Sequence, residues 1–233
     1  MPIFRLSEKV SFPPPHFAAR NGLLAIGGDL SEERLLLAYR LGIFPWFSPY
    51  DPILWWSPDP RLVLYPDKLH VSRRLRRTLR QGRFQATGDS AFHLVIKECA
   101  QIRVEQNEET WLIDDMIEAY CGLHELGYAH SIEIWSDGNL AGGLYGVAIG
   151  GSFFGESMFS RIRDASKVAL VVLCRYLQDH LYDLIDCQVT TAHLTTMGAR
   201  EIPRRRFLKQ LEASVSRPTN RQKWSIGPGL TAG

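Results

Sequence analysis

Residues 131–159 read SIEIWSDGNLAGGLYGVAIGGSFFGESMF, and this stretch decides the architecture. Residues 131–135 alternate apolar and polar side chains, as a half-buried strand does. Asp137-Gly138 is the kind of dipeptide that closes a two-residue hairpin. Residues 140–149 and 152–159 continue as further strands, so three consecutive antiparallel strands are expected.

Upstream of these strands, residues 91–99 and 113–126 have helical character. Downstream come a strongly apolar helix over 165–179, a strand over 184–189, a helix-like stretch to Met197 and an amphipathic helix beginning over 207–211. Helices, three antiparallel strands, then helix, strand and helix is the order of the acetyltransferase-like fold called GNAT. The expectation is an α+β protein whose larger part is a GNAT-like α/β domain with a mixed, largely antiparallel sheet.

The front of the chain differs in texture. Most of the prolines fall in residues 12–66, together with Trp46, Trp55 and Trp56. This predicts a small, loop-rich N-terminal domain over 1–62, followed by the GNAT-like domain over 63–233. One helix is expected in the small domain, over 32–41, capped by Asp29 or Ser31 and ended by Gly42.

The bulk numbers exclude several classes. The run 168–174 is far too short to span a bilayer, and residues 1–17 lack a signal-peptide core, so a cytoplasmic protein is expected with no membrane partner. Cys99, Cys121, Cys174 and Cys187 are widely spread and read as reduced thiols. The histidines lack ligand spacing, so no metal is expected. Net charge is only +2, but its distribution is uneven. Arg61, Lys68, Arg73, Arg74, Arg76, Arg77, Arg80 and Arg83 face only Asp59 and Asp67, and Arg204, Arg205 and Arg206 form a second basic group. Within this run Ser72 can cap a short helix whose Leu75 and Leu79 face one way. Arg73, Arg76, Arg77 and Arg80 stripe the opposite side. A solvated face is the plain reading. Like charges at these spacings repel, so a phosphate-bearing partner is the sharper one.

Several polar residues interrupt apolar strands. Strict alternation places Phe154, Glu156 and Met158 on one face and Phe153, Ser157 and Phe159 on the other. Glu156 is then either an edge residue turned to water or a cleft carboxylate for an amine-bearing substrate. Asp186 and Gln188 likewise share one face of LIDCQV, either at an exposed strand end or as a hydrogen-bonded carboxylate–carboxamide relay. The stretch Gly155-Glu156-Ser157-Met158-Phe159 is not a serine-hydrolase elbow, because Phe159 stands where its second glycine belongs. The loop before the long helix, residues 160–166, contains no glycine and is poorly suited to close on a coenzyme A pyrophosphate. A donor carried by nucleic acid suits the arginine stripe better. Exposed rings near a basic groove stack unpaired bases.

The stretch NGLLAIGGDLSEERLLLAYRLGIFPWFSPYDPILWWSPDPR (21–61) closely resembles the N-terminal part of leucyl/phenylalanyl-tRNA–protein transferases. So do LHELGYAHSIEIW (123–135), GESMFSR (155–161), ASK (165–167), LIDCQV (184–189) and GAREIPRR (198–205). The resemblance covers roughly residues 12–212. It implies a cytoplasmic, monomeric aminoacyltransferase needing no cofactor. Such enzymes move leucine or phenylalanine, less readily methionine, from tRNA to proteins with N-terminal arginine or lysine, tagging them as N-degrons. In this reading Gln188, polarised by Asp186, accepts or guides the amine proton, and Glu156 holds the cationic N-terminus. Leu144, Phe153, Met158, Leu170 and Leu173 line the amino-acid pocket. Trp46 and Trp111 meet the terminal adenosine or the pocket mouth. Arg73, Arg76, Arg77 and Arg80 hold acceptor-stem phosphates. Glu109 and Leu144 depart from the family pattern, where glycine and methionine are common, and the tail after Arg217 is expected to be partly mobile. The competing readings are a coenzyme A-dependent N-acetyltransferase and a non-catalytic tRNA-end binding module.

Overall fold

The computed structural model describes residues 3–105 and 111–227. Glu109 lies outside the described residues. Short segments of the proline-rich front pair into a small sheet, which loop-like composition concealed. Strands β1 (Phe4–Leu6), β2 (Leu23–Gly27), β3 (Phe44–Pro45) and β4 (Leu54–Trp56) pair in the order β1-β2-β4-β3. Helix α1 (Glu32–Arg40) lies between β2 and β3. Ser31, not Asp29, caps it by accepting the Arg34 N–H; Asp29 instead accepts from Ser31 and from the Arg34 guanidinium.

The rest of the chain builds a second sheet. Its elements are β5 (Arg61–Leu64), α2 (Arg73–Arg80), β6 (Gln85–Gly88), α3 (Phe92–Glu105), α4 (Asp114–Glu125), β7 (Ala129–Ser136), β8 (Asn139–Ile149), β9 (Ser152–Ser160), α5 (Ala165–Asp179), β10 (Leu184–Gln188), α6 (Ala192–Thr196), β11 (Arg200–Ile202) and α7 (Arg204–Val215). The strand order is β11-β5-β10-β9-β8-β7-β6. The β9–β10 pair is parallel and the other pairings are antiparallel. This is the expected GNAT-like α+β architecture. The hairpin between β7 and β8 turns at Asp137 (φ 51°) and Gly138 (φ 77°), the doubly left-handed turn that matches strand twist.

The sheet separates two apolar layers. On one face Val95, Ile96, Met116, Tyr120, Phe154 and Phe207 pack with Leu24, Leu35, Tyr39 and Trp55 of the N-terminal unit. On the other, α5 and α2 cover Ile132, Ile134, Phe153 and Ile185. A cut after residue 62 would fall inside β5, a strand of the larger sheet.

One expectation, the strict alternation along β9, changes. Gly146 pairs with Gly155 and Tyr145 with Ser157, so Glu156 is an extra residue in β9, a β-bulge. The bulge breaks the alternation: Met158 joins Phe153 on the α5 side, while Phe159 joins Phe154 on the other. Gly146 permits the close approach, since a Cβ there would lie 2.1 Å from the Phe154 carbonyl oxygen. In the tail after Arg217, Trp224 is only 2% exposed and Thr219 and Ile226 are half-buried, while the other described residues are exposed. No helix among the described residues is long and apolar enough to cross a membrane.

Candidate active site

Strands β9 and β10 pair only from Ser152–Leu184 to Phe154–Asp186, although β9 runs on to Ser160. The bulge bends β9 away from its parallel neighbour. The strands therefore splay, and a cavity of about 400 Å³ opens between them. Leu144, Phe153, Met158, Leu170 and Leu173 form much of its wall, all contributed by β8, β9 and α5. Trp46 and Trp111 also line it; Trp46 is 46% exposed and sits 5.9 Å from Trp56, and Trp111 stands edge-on to Tyr120 at 6.2 Å. Glu156 and Gln188 line the same cavity.

Glu156 ends a chain of hydroxyls. Tyr120 donates to its Oε2 at 2.7 Å, and the Tyr39 and Tyr120 hydroxyls meet at 2.6 Å. Gln188 Nε2 donates to Glu156 Oε1 at 2.9 Å. Burial pushes the Glu156 carboxyl up to about 7, opposed by the tyrosine and glutamine donors and reinforced by the Asp186 charge. Burial likewise raises both tyrosine hydroxyls, so they stay protonated donors.

The expected side-chain contact between Asp186 and Gln188 is not made. Arg61 binds Asp186 bidentately through one edge of its guanidinium, Nε to Oδ1 at 2.8 Å and Nη2 to Oδ2 at 2.6 Å. The Gln188 backbone N–H donates to Asp186 Oδ1 at 2.9 Å. Asp186 thus grips the backbone of Gln188, which has φ 62°, a left-handed conformation that is costly outside glycine. The turn ends β10 and sends the carboxamide to Glu156. Arg61 is itself buried between the Phe44 and Phe207 rings, at 4.8 and 4.7 Å. Sequence reading counted Arg61 as part of a basic run and missed Tyr39 and Tyr120. Nothing local marks them, because their partners lie far along the chain.

Helix α2 presents Arg73, Arg76, Arg77 and Arg80 as exposed side chains, while Leu75 and Leu79 are buried. A second, polar hollow of about 350 Å³ lies between α2 and the start of α5, lined by Ser72, Arg74, Arg163, Asp164, Lys167 and His193. Arg73, Arg76, Arg77 and Arg80 line neither this hollow nor the cavity. His193 borders both spaces. At the start of α5 the chain also bonds to itself: Ser160 Oγ accepts the Ser166 N–H at 2.9 Å, and the Asp164 carboxylate lies 3.6 Å from Lys167. Of the second basic group, Arg204 is bound to Asp59 and the Ser57 carbonyl, and Arg205 and Arg206 are exposed. Among the described residues no three His, Cys, Asp or Glu side chains converge as metal ligands.

A greasy cavity with a carboxylate and a carboxamide in its lining suits the passage of a hydrophobic acyl group to an amine. The chain is an acyl-group transferase of the GNAT-like architecture, and the comparisons narrow the class. Residues 63–212 match the model of the leucyl/phenylalanyl-tRNA protein transferase family, and residues 28–59 match that of its N-terminal domain. The transferase of that name from Desulforapulum autotrophicum is 56% identical over 96% of this chain and 98% of its own. The one from Syntrophobacter fumaroxidans is 58% identical over 96% of each chain. The chain belongs to the leucyl/phenylalanyl-tRNA–protein transferase family and is an aminoacyltransferase.

Proposed function

We propose that this enzyme moves leucine or phenylalanine, and less readily methionine, from aminoacyl-tRNA to the α-amine of proteins beginning with arginine or lysine. The products are N-degrons, made in the cytoplasm. The observation that carries the reading is the apolar cavity with the hydrogen-bonded Glu156 and Gln188 in its lining. Leu144, Phe153, Met158, Leu170 and Leu173 receive the amino-acid side chain. Such a pocket separates large apolar side chains only weakly, by about 1–3 kcal/mol per methylene, so several donors are accepted. Trp46 and Trp111 stack on the terminal adenosine. The tRNA end passes His193 toward α2, where Arg73, Arg76, Arg77 and Arg80 neutralise phosphates without reading bases. The loop into α5, residues 160–166, has no glycine to close on a pyrophosphate, in keeping with a donor other than coenzyme A.

The donor ester is already activated, so placement supplies much of the acceleration. The α-amine nitrogen attacks the ester carbonyl carbon, and the bond to the ribose oxygen breaks. The amine proton finally leaves on that ribose oxygen. Glu156, with a pKa near 7, holds the incoming ammonium and takes its proton close to working pH. Gln188, tied through Nε2 to Glu156, turns its carboxamide oxygen to an amine N–H. Asp186 positions Gln188 through the backbone.

The test mixes the purified protein with leucyl-tRNA and an arginine-initiated peptide, then weighs the peptide. Addition of one leucine residue at the α-amine, absent when acetyl-coenzyme A replaces the tRNA, is expected. No addition from leucyl-, phenylalanyl- or methionyl-tRNA despite tRNA binding would overturn the enzyme reading.

A further inference from the structure

Beyond α7 the chain runs back over the sheet along a defined path. Thr219 Oγ1 accepts the Gly150 N–H at 3.0 Å, and Arg221 Nε donates to the Leu126 carbonyl at 2.7 Å. Gly127 (φ 76°) makes room for this passage, since a Cβ there would lie 2.2 Å from the Arg221 carbonyl oxygen. The path reaches Trp224, whose backbone N–H donates to Asp89 Oδ2 at 2.8 Å. Asp89 also holds the His130 ring at 2.7 Å and the Ser131 N–H at 2.8 Å. His130 lies flat on the Trp224 indole, 4.3 Å away and tilted by 7°, and Tyr176 of α5 packs on it at 4.4 Å.

The indole also meets Phe153 at 5.7 Å. Phe153 is fully buried from solvent yet lines the cavity, opposite Ile185 in the β9–β10 register, and Ile185 is another lining residue. Phe153 is therefore a shared wall, with the cavity on one side and Trp224 on the other. The Trp224 Nε1–H is buried and has no partner among the described residues. Burying a donor unpaired costs about 1–3 kcal/mol, which a phenyl ring would avoid. Against that cost, the indole fills the space behind Phe153 and packs on His130 and Tyr176, contacts that a smaller ring would lose.

We propose that Trp224 is a positioning residue that sets donor specificity: it holds Phe153 against the cavity and so limits the size of the amino-acid side chain accepted. This rests on the reading that the cavity takes that side chain. A wall free to retreat admits larger groups, and core volume removed behind it provides that freedom.

The test offers leucyl- and phenylalanyl-tRNA together, with an arginine-initiated peptide, to the full-length enzyme. Trp224→Ala is expected to raise the phenylalanine-to-leucine product ratio roughly tenfold. Trp224→Phe should fall between it and the native enzyme. In a Phe153→Ala background, Trp224→Ala should leave the ratio unchanged, because the wall it supports is gone. If Trp224→Ala does not fold, Trp224→Leu, which keeps apolar volume but loses the plate, carries the same test. Equal loss of both products with an unchanged ratio would mark a structural role only and overturn the proposal. Leu144→Ala separates the two readings. A ratio that moves in Leu144→Ala but not in the Trp224 variants rejects the proposal and keeps the cavity assignment; a ratio that moves in neither rejects both.

Discussion

Two side chains show how the site balances stability against readiness. Glu156 has a pKa of about 7 against an ordinary 4.5, so the folded protein holds a proton that the unfolded chain releases. Stability therefore falls as pH rises between about 4.5 and 7, by up to about 3 kcal/mol. Glu156→Gln should abolish this loss, raising the melting temperature at pH 8 relative to the native enzyme while leaving it nearly unchanged at pH 4. The same variant should lose the inflection near pH 7 in kcat/KM; thermal scans and rate profiles across that range check both. Arg61 gives the opposite case. Both its bonds to Asp186 are buried, so Arg61→Ala leaves a carboxylate without its counter-charge and should cost about 3–5 kcal/mol in urea unfolding.

Among the elements, α2 separates electrostatic binding from chemistry. Its leucines anchor it, and its arginines face outward, outside the cavity lining. Removing one arginine that neutralises a phosphate should lower the magnitude of the salt slope for tRNA binding by about one unit. Changing Arg73, Arg76, Arg77 and Arg80 together to glutamine should raise KM for aminoacyl-tRNA steeply with little change in kcat. A short aminoacylated trinucleotide, which lacks the acceptor-stem phosphates, should react equally with both forms. Steady-state kinetics over a salt series checks this; an equal loss with the trinucleotide would remove α2 from the tRNA path. Strand β9 matters at the same scale. Its bulge at Glu156 lies where pairing with β10 stops and the cavity begins.

As a whole molecule the chain is knit across its expected domain boundary. Tyr39 of α1 packs on Phe154 at 5.0 Å and reaches the Tyr120 hydroxyl, while Arg61 at the start of β5 is held by Asp186 of β10. Trp46 brings the N-terminal unit to the cavity itself. We expect residues 63–233 alone to lack a cooperative transition, since the face beneath Leu35, Tyr39 and Trp55 would be open to water. Calorimetry on the full chain should show one transition; two separate ones would mean the units fold independently.

Periodicity along the sequence determined most of the elements. The three antiparallel strands, the apolar helix and the arginine stripe all follow from side-chain spacing that a few neighbouring residues impose. The candidate pocket and polar residues were legible through the family resemblance, and the interruptions at Glu156, Asp186 and Gln188 were visible as polar groups in apolar strands. The small N-terminal sheet was not legible, because strands of two to five residues in proline-rich sequence carry too short a pattern. Nor were the bulge that redirects Met158, the pairing of Arg61 with Asp186 across 125 residues, or the return of Trp224 to Asp89 across 135. Only the tertiary structure decided these. A buried charge or ring takes its partner from whatever the folded chain brings near, and no local spacing encodes that choice.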